Sequence, residues 1–145
     1  GQPRPRQAPR RIPVTVVYLD SSALVKLVVA EPESSALIEY LRGRPERVSS
    51  AVALAEVPRA LRRAAFGASE RRRSRQVMTR IALVEVDRRI LEAAAALDPP
   101  GLRTLDAIHL ATALAIREDL EAVVTYDRRL AAAAERIHLE VSVPT

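Results

Sequence analysis

Apolar residues along the chain fall into two kinds of segment, short unbroken runs and longer runs at helical spacing. The runs "TVVYL" at 15–19 and "AVVTY" at 122–126 are apolar without alternation, which is typical of strands covered on both faces. Three further short segments, at 47–50, 83–86 and 138–143, have a similar character. The pattern therefore predicts a sheet of five short strands.

Helical spacing fills the intervals between these strands, and local signals place some of the helix ends. Ser21 or Ser22 is expected to cap a helix over 22–29, and Pro32 stands where a proline opens the next helix, which runs to Gly43. A further helix begins at residue 51 and stops before Gly67. The remaining helices are predicted over 69–82, 87–97, 104–118 and 127–136.

Strands that alternate with helices are typical of crossover units in a parallel sheet. We therefore expect an α/β fold, a three-layer α/β/α sandwich with a central, mainly parallel sheet, in a single domain over residues 14–145. Residues 1–13, "GQPRPRQAPRRIP", are basic and rich in proline. We expect them to form a disordered arm, or to be an added segment rather than part of the mature domain.

Composition narrows the classes of protein that fit. The chain has no cysteine, which excludes disulfides and thiolate metal sites, and no apolar run long enough to span a membrane. We therefore expect a cytoplasmic protein with no membrane partner. The net charge of +5 suits a polyanion, but four arginines of the first 13 residues account for most of it. Because aromatic residues make up only 3%, a nucleic acid would be bound through its phosphates rather than by base stacking.

Acidic side chains follow two of the predicted strands at the point where each strand ends. Asp20 comes directly after the first strand, and Asp127 directly after the strand at 122–126. In a parallel sheet both carboxylates would reach the same edge, which is where such folds bind ligands. Each acid taken alone could simply cap the helix that follows it. Together they indicate an acidic cluster, which a hard cation such as Mg²⁺ or Mn²⁺ would stabilise.

A third carboxylate, Asp106, lies on the most apolar helix of the chain, "LRTLDAIHLATALAI" at 102–116. A helix that is apolar all round is buried, so this charge must be neutralised, capped or bound to a metal ion. Asp106 could instead interact with the helix dipole from the first turn, or bond to His109 three residues on. His109 is interpreted as a core residue or as one that orients another group.

Glu56 gives a weaker signal than the three aspartates. It lies on the side of its helix away from the apolar stripe of Leu54 and Leu61. Taken alone, it is interpreted as an exposed residue that pairs with Arg59 at the i+3 position. Pro58 removes one hydrogen bond of this helix and is expected to bend it just beyond Glu56.

Four segments, taken in order, resemble the PIN-domain ribonucleases, specifically the VapC toxins of prokaryotic toxin–antitoxin pairs. They are "YLDSSALVKL" at 18–27, "SSAVALAEVPRAL" at 49–61, "LRTLDAIHLATAL" at 102–114 and "VVTYDRRLAAAA" at 123–134. No segment is decisive alone, but their order and spacing are specific, and the resemblance extends over about 14–143. Members usually begin close to the first strand, so the arm at 1–13 departs from the family.

The resemblance implies a metal-dependent endoribonuclease that acts as the toxin of such a pair and cleaves cellular RNA with a metal-activated water. It assigns the catalytic acids as Asp20, Glu56, Asp106 and Asp127. Asp20 and Asp106 would hold Mg²⁺, or Mn²⁺, directly, and the other two would bind the ion or orient water. It also implies a VapB-type antitoxin protein as partner and a homodimer, with the helices of 21–41 as a surface for either.

Residues expected to bind RNA flank these acids. A hydroxyl beside the first acid, a Thr-x-Asp pattern at 125–127 and two arginines next to the later acids give the candidates Ser22, Arg103, Thr125 and Arg128. Ser21 is the alternative to Ser22. The densest basic run, at 71–75, is either a solvated helix face or a further contact with RNA phosphates.

Three other classes of protein fit part of the pattern. An aspartate-nucleophile phosphatase of the haloacid type would have a second Asp two residues after Asp20, where this chain has Ser22. A receiver domain would have two adjacent early acids and a late lysine, whereas the only lysine is Lys26. The third class, a catalytically degenerate module of the same fold that binds nucleic acid or protein, is the alternative to the enzyme.

Overall fold

The computed structural model describes residues 1–3 and 14–145. Five strands form one parallel sheet in the order β3-β2-β1-β4-β5. They are β1 (Val16–Leu19), β2 (Arg47–Ser50), β3 (Ala82–Val84), β4 (Leu120–Val124) and β5 (Val141–Ser142). Most of the predicted N-terminal arm, residues 4–13, lies outside the described residues, so the expectation of disorder there stays a prediction.

Helices cover both faces of this sheet. Those connecting β1 to β3 pack on one face, and those following β3 pack on the other. They are α1 (Ser21–Val28), α2 (Ser34–Leu41), α3 (Ala53–Arg63), α4 (Ala68–Met78), α5 (Arg88–Ala95), α6 (Thr104–Ala115) and α7 (Arg128–Arg136). The predicted three-layer α/β/α fold with a parallel sheet is confirmed.

The first strand shows why its sequence lacks alternation. Val17 and Leu19 point into the core under α1 to α3, while Tyr18 points into the core under α6 and α7 with Leu110. All four residues of β1 are buried, because helices cover both of its faces. An unbroken apolar run is the pattern that such a central strand requires.

The chain reverses its direction across the sheet between β1 and β4. From β1 the chain proceeds through β2 to β3 at one edge, and it then crosses to β4 and proceeds to β5 at the other edge. Leu19 and Val124 are paired in register, so β1 and β4 end at the same level. A crevice opens beyond the carboxyl ends of two strands at such a switch point, and it is the usual ligand site of open α/β sheets.

Several predicted boundaries differ from those of the structure. The helix α2 begins at Ser34 rather than at Pro32, because the Ser34 hydroxyl accepts a hydrogen bond from the Glu31 N–H and closes a turn there. The helix α4 ends at Met78, four residues early, and α6 ends at Ala115 before a short 3₁₀ turn. In residues 14–145, no helix combines the length and the apolarity needed to cross a membrane.

Candidate active site

Asp20 stands at the end of β1 and caps α1. Its Oδ1 accepts hydrogen bonds from the Ala23 N–H at 3.0 Å and the Ser22 hydroxyl at 2.6 Å, and its Oδ2 accepts one from the Thr125 hydroxyl at 2.6 Å. The side chain is buried, and this burial raises the pKa of Asp20 although the three hydrogen bonds oppose the shift. The interpretation of Asp20 as a helix cap is confirmed, and its Oδ2 keeps one lone pair for a further partner.

Two hydroxyl groups join the ends of β1 and β4. The Thr125 hydroxyl donates to Asp20 and accepts from the Asp127 N–H at 3.0 Å. The Ser22 hydroxyl also donates to Asp20 and accepts from the Tyr126 N–H at 2.9 Å. The two strand ends are thereby fixed relative to each other, and the structure brings Asp20 and Asp127 to the same edge of the sheet.

Asp127 caps α7, as its local sequence indicated. Its Oδ1 accepts hydrogen bonds from two backbone N–H groups of the first turn, at 2.9 and 3.2 Å. Asp127 therefore serves as a cap and as a member of the acidic group at the same time. The local and the functional interpretations of this residue do not exclude each other.

Asp106 faces this group from the first turn of α6, where it is half-buried. It accepts no hydrogen bond from any residue in the described ranges, so the alternative of a bond to His109 is wrong. Burial raises the pKa of Asp106, and the negative charges of Asp127 and Asp20 raise it further, against the opposing charges of His109 and Arg103. Asp106 is therefore close enough to Asp127 and Asp20 to be repelled by both.

Glu56 lies on the other side of this group, in the first turn of α3. Its Oε1 accepts a hydrogen bond from the Ser21 hydroxyl at 2.7 Å and pairs with His109 Nε2 at 2.7 Å. Burial alone would raise the pKa of Glu56, but the interactions with His109 and Ser21 outweigh it and lower that pKa. The interpretation of Glu56 as an exposed partner of Arg59 is therefore wrong.

His109 extends this contact into the core, as the interpretation of a buried or orienting residue expected. It is 2% exposed, and its Nδ1 lies 2.6 Å from the hydroxyl of Tyr18. Sequence reasoning missed Tyr18, and it considered Ser21 only as a helix cap and as the alternative to Ser22. A signal for Tyr18 was present, because a buried tyrosine in an apolar strand needs a partner for its hydroxyl.

Two clefts lined by arginine meet at Asp106. One, of about 490 Å³, lies between α3 and the start of α6, and the other, of about 360 Å³, lies between α6 and α7. Asp106 and Arg103 line both clefts. The charged residues that line only one of them are Glu56, Arg59 and Arg63 in the first, and Arg129 and Arg136 in the second.

The predicted arginine contacts differ in where they lie relative to these two clefts. Arg103 lies where expected, beside Asp106. Arg128 is the first residue of α7 and is exposed, but its neighbour Arg129 is the one that lines the cleft. Of the basic run at 71–75, Arg73 donates to the backbone carbonyl of Leu27, and none of its members lines the two clefts at Asp106.

Comparison with known proteins identifies the family. The family model of the PIN domain matches residues 17–136. The chain is 50% identical over 132 residues to Ribonuclease VapC46 of Mycobacterium tuberculosis, an alignment that covers 91% of this chain and 100% of that protein. Ribonuclease VapC35 of the same organism is 43% identical over 133 residues, which cover 89% and 97% of the two chains. The chain belongs to the PIN-domain family. Its relatives within that family are VapC ribonucleases, so the resemblance noted in the sequence is confirmed.

Solved structures share the fold. Mycobacterium tuberculosis VapC20, a sarcin-ricin loop cleaving toxin, superposes with a TM-score of 0.69 at 16% identity, over 89% of this chain and 99% of that one. A toxin–antitoxin complex from Klebsiella pneumoniae gives a TM-score of 0.68 at 23% identity, over 89% and 98%. At these identities the likeness shows the fold alone.

PIN-domain ribonucleases in general depend on divalent metal ions, and the donor set at this edge fits such an ion. All the available ligands are carboxylate oxygens, which suit Mg²⁺ and Mn²⁺. Within residues 1–3 and 14–145, no group of three or more His, Asp or Glu side chains could hold a metal ion by itself. An ion here would therefore need ligands from water or from substrate, which is usual for Mg²⁺.

Proposed function

We propose that the chain is the toxin endoribonuclease of a toxin–antitoxin pair and that it cleaves cellular RNA in the cytoplasm with Mg²⁺, or Mn²⁺, as cofactor. The single observation that carries this proposal is the convergence of Asp20, Asp106 and Asp127 at the switch point between β1 and β4. Burial raises the pKa of Asp106, and repulsion from Asp127 and Asp20 raises it further. A divalent cation would offset that repulsion.

Asp20 and Asp106 are the residues that would hold the ion. Asp20 is fixed by three hydrogen bonds and keeps one lone pair on Oδ2, while Asp106 has no hydrogen bond to lose. A divalent ion bound there supplies Lewis acidity, which lowers the pKa of a nearby water and offsets negative charge on the phosphate. Asp127 and Glu56 each have one oxygen engaged, so each can orient a water with the other.

The arginines of the two clefts would bind the phosphates of the RNA. Arg103 lies where the clefts meet, with Arg59 and Arg63 on one side and Arg129 and Arg136 on the other. A strand that fills both clefts would cross Asp106 and so present one phosphodiester to the carboxylates. Ser22 and Thr125 act indirectly in this proposal, since both hydroxyls are engaged in holding Asp20. Arg128 stays a weaker candidate than Arg129.

An antitoxin protein of the VapB type and a second copy of the chain are the proposed partners. The structural neighbour from Klebsiella pneumoniae is a toxin–antitoxin complex, which supports an antitoxin. The helices α1 and α2 are the proposed surface for either partner, and Ile38 on α2 is 43% exposed. Exposure of a large apolar side chain is consistent with such a contact.

The proposal is tested by mapping RNA ends after pulsed expression of the protein, with Asp20→Ala as control. New ends that recur at defined sites and vanish with the variant are expected. The mapped site, made as an oligonucleotide, should then be cut by purified protein in Mg²⁺ and not in EDTA or by Asp106→Ala. If wild-type protein binds RNA in Mg²⁺ or Mn²⁺ but never cuts it, the chain is the degenerate module and the proposal is wrong.

A further inference from the structure

A chain of hydrogen bonds runs from the core to Glu56 through His109. The Tyr18 hydroxyl lies 2.6 Å from Nδ1 of His109, and Nε2 of the same ring lies 2.7 Å from Oε1 of Glu56. Tyr18 and His109 are both buried, and their rings meet edge to face. Tyr18, His109 and Glu56 come from β1, α6 and α3, so the chain of hydrogen bonds links these three elements through side chains alone.

Glu56 decides which ring nitrogen of His109 must carry a proton. Its carboxylate can only accept, so His109 Nε2 carries a proton and donates a hydrogen bond to Oε1. Nδ1 then faces the Tyr18 hydroxyl at 2.6 Å, and this second hydrogen bond fixes the orientation of the ring. The direction of donation to the acidic side is therefore from His109 Nε2 to Glu56 Oε1.

This arrangement holds Glu56 against a competing set of partners. Glu56 lines the cleft between α3 and α6 together with Arg59, Arg63 and Arg103. Without its present partners, Glu56 would pair with these arginines, and Arg59 is well placed for such a pair at the i+3 position. Such a pair would occupy the cleft and neutralise the guanidinium groups that bind phosphate. The structure instead shows Oε1 bound by His109 and Ser21.

We propose that His109 is a positioning residue, which, oriented by Tyr18, holds Glu56 away from the cleft arginines and directed at the acidic group. This inference rests on the proposed function, in which Glu56 orients a water. His109 fixes the direction of the Glu56 carboxylate and loses no proton in doing so.

Two substitutions of similar polarity separate positioning from core packing. In His109→Gln the side-chain amide nitrogen occupies the place of Nε2 and can still donate to Glu56, whereas in His109→Asn the amide reaches only the place of Nδ1. With the mapped oligonucleotide, we expect His109→Gln to keep kcat within about threefold and His109→Asn to lose about 10–100-fold, with KM little changed. Tyr18→Phe should fall between them. Equal kcat values for the Gln and Asn variants would overturn the inference.

A double variant of His109→Asn with Glu56→Gln tests whether His109 acts through Glu56. Because His109 acts through Glu56, His109→Asn should cause no further loss of kcat in the Glu56→Gln background. An independent loss in that background would contradict the inference. If Glu56→Gln alone keeps wild-type activity, the role of Glu56 in the proposed function is wrong. If Glu56→Gln is inactive but the Gln and Asn variants of His109 match, only the inference fails.

A measurement that needs no cleavage tests directly whether His109 Nε2 carries a proton. The chain has two histidines, so ¹⁵N imidazole spectra of the whole protein contain only His109 and His138. We expect the His109 signals of a ring that carries a proton on Nε2, the nitrogen that donates to Glu56. A ring without a proton on Nε2 in the wild-type protein would contradict the arrangement, whether or not the protein cleaves RNA.

Discussion

The two halves of the candidate site are built in different ways. Asp20 and Asp127 stand at strand ends, where backbone N–H groups of the helices that they cap hold them, and the hydroxyls of Ser22 and Thr125 add two hydrogen bonds to Asp20. Glu56 is held by the side chains of Ser21 and His109, which lie 35 and 53 residues away in the chain. Sheet topology and helix capping contribute to the first half, whereas side chains alone fix the second. The second half should therefore be the more sensitive of the two to single substitutions that spare the fold.

Asp106 lies between these halves, and its removal should have the largest effect. We expect Asp106→Asn to lower RNA cleavage by about 10²–10³-fold, as for loss of one electrostatic element of an active site. The metal-free protein should gain up to about 1 kcal/mol in free energy of unfolding, because repulsion from Asp127 and Asp20 is removed. Urea unfolding in EDTA and cleavage of the mapped oligonucleotide measure the two effects.

A matched control for this charge change is Glu92→Gln on α5, an exposed acid that pairs with Arg88. It should leave cleavage unchanged and should not stabilise the protein. Destabilisation by Asp106→Asn would show that Asp106 has a structural partner, and the cluster would lose its main support.

Thr125→Val tests the strand-end half. The substitution removes the donor to Asp20 and the acceptor of the Asp127 N–H in a fully buried position. We expect a loss of about 1–3 kcal/mol in free energy of unfolding and of about 10–100-fold in cleavage. Thr125→Ser, which keeps the hydroxyl, should retain most of the stability and most of the cleavage activity. If valine is tolerated as well as serine, the hydroxyl does not hold this half together.

Adjacent serines offer a direct comparison of the halves. Ser22 bonds to Asp20 and to the Tyr126 N–H, whereas Ser21 bonds to Glu56. Ser22→Ala should cost about 1 kcal/mol of stability, and Ser21→Ala less than about 0.5 kcal/mol. Both should lower cleavage, so Ser21→Ala should change activity with little change in stability. Thermal unfolding and kcat measure this, and equal stability losses would remove the distinction between the halves.

The smallest expected effect is in the pH dependence of stability in EDTA. The pKa of Asp106 lies above its ordinary value of 3.8, so ionisation of Asp106 destabilises the fold. As far as Asp106 is concerned, the free energy of unfolding is highest below pH 3.8 and declines as the pH rises through the folded-state pKa. The pKa of Glu56 lies below 4.5, so its contribution is present above pH 4.5 and is lost as the pH falls. The stability gain of Asp106→Asn should therefore grow from pH 3.8 upward, and a gain that shrinks over that range would be contrary to the repulsion.

Much of the fold and half of the site could be predicted from local sequence. Apolar runs marked the strands, and Asp20 and Asp127 were found because they follow strands. Glu56 could not be placed, since its partner His109 reaches it only through tertiary packing. Arg128 is the direct neighbour of Asp127 in the sequence, but which side chain of α7 faces the cleft depends on how the helix is rotated, and that is set by tertiary packing. Arg129 shares one helix stripe with Arg136, seven residues on, whereas Arg128 is turned about 100° away.

Both clefts meet at Asp106, which lies beside Arg103, so the groove has carboxylate charge near its middle and further arginines on either side. A polyanion is attracted at its two flanks and repelled at its centre, where a cation must compensate. A protein segment that closes the same groove without any metal would need the opposite order, a basic side chain at the centre with acidic ones on either side.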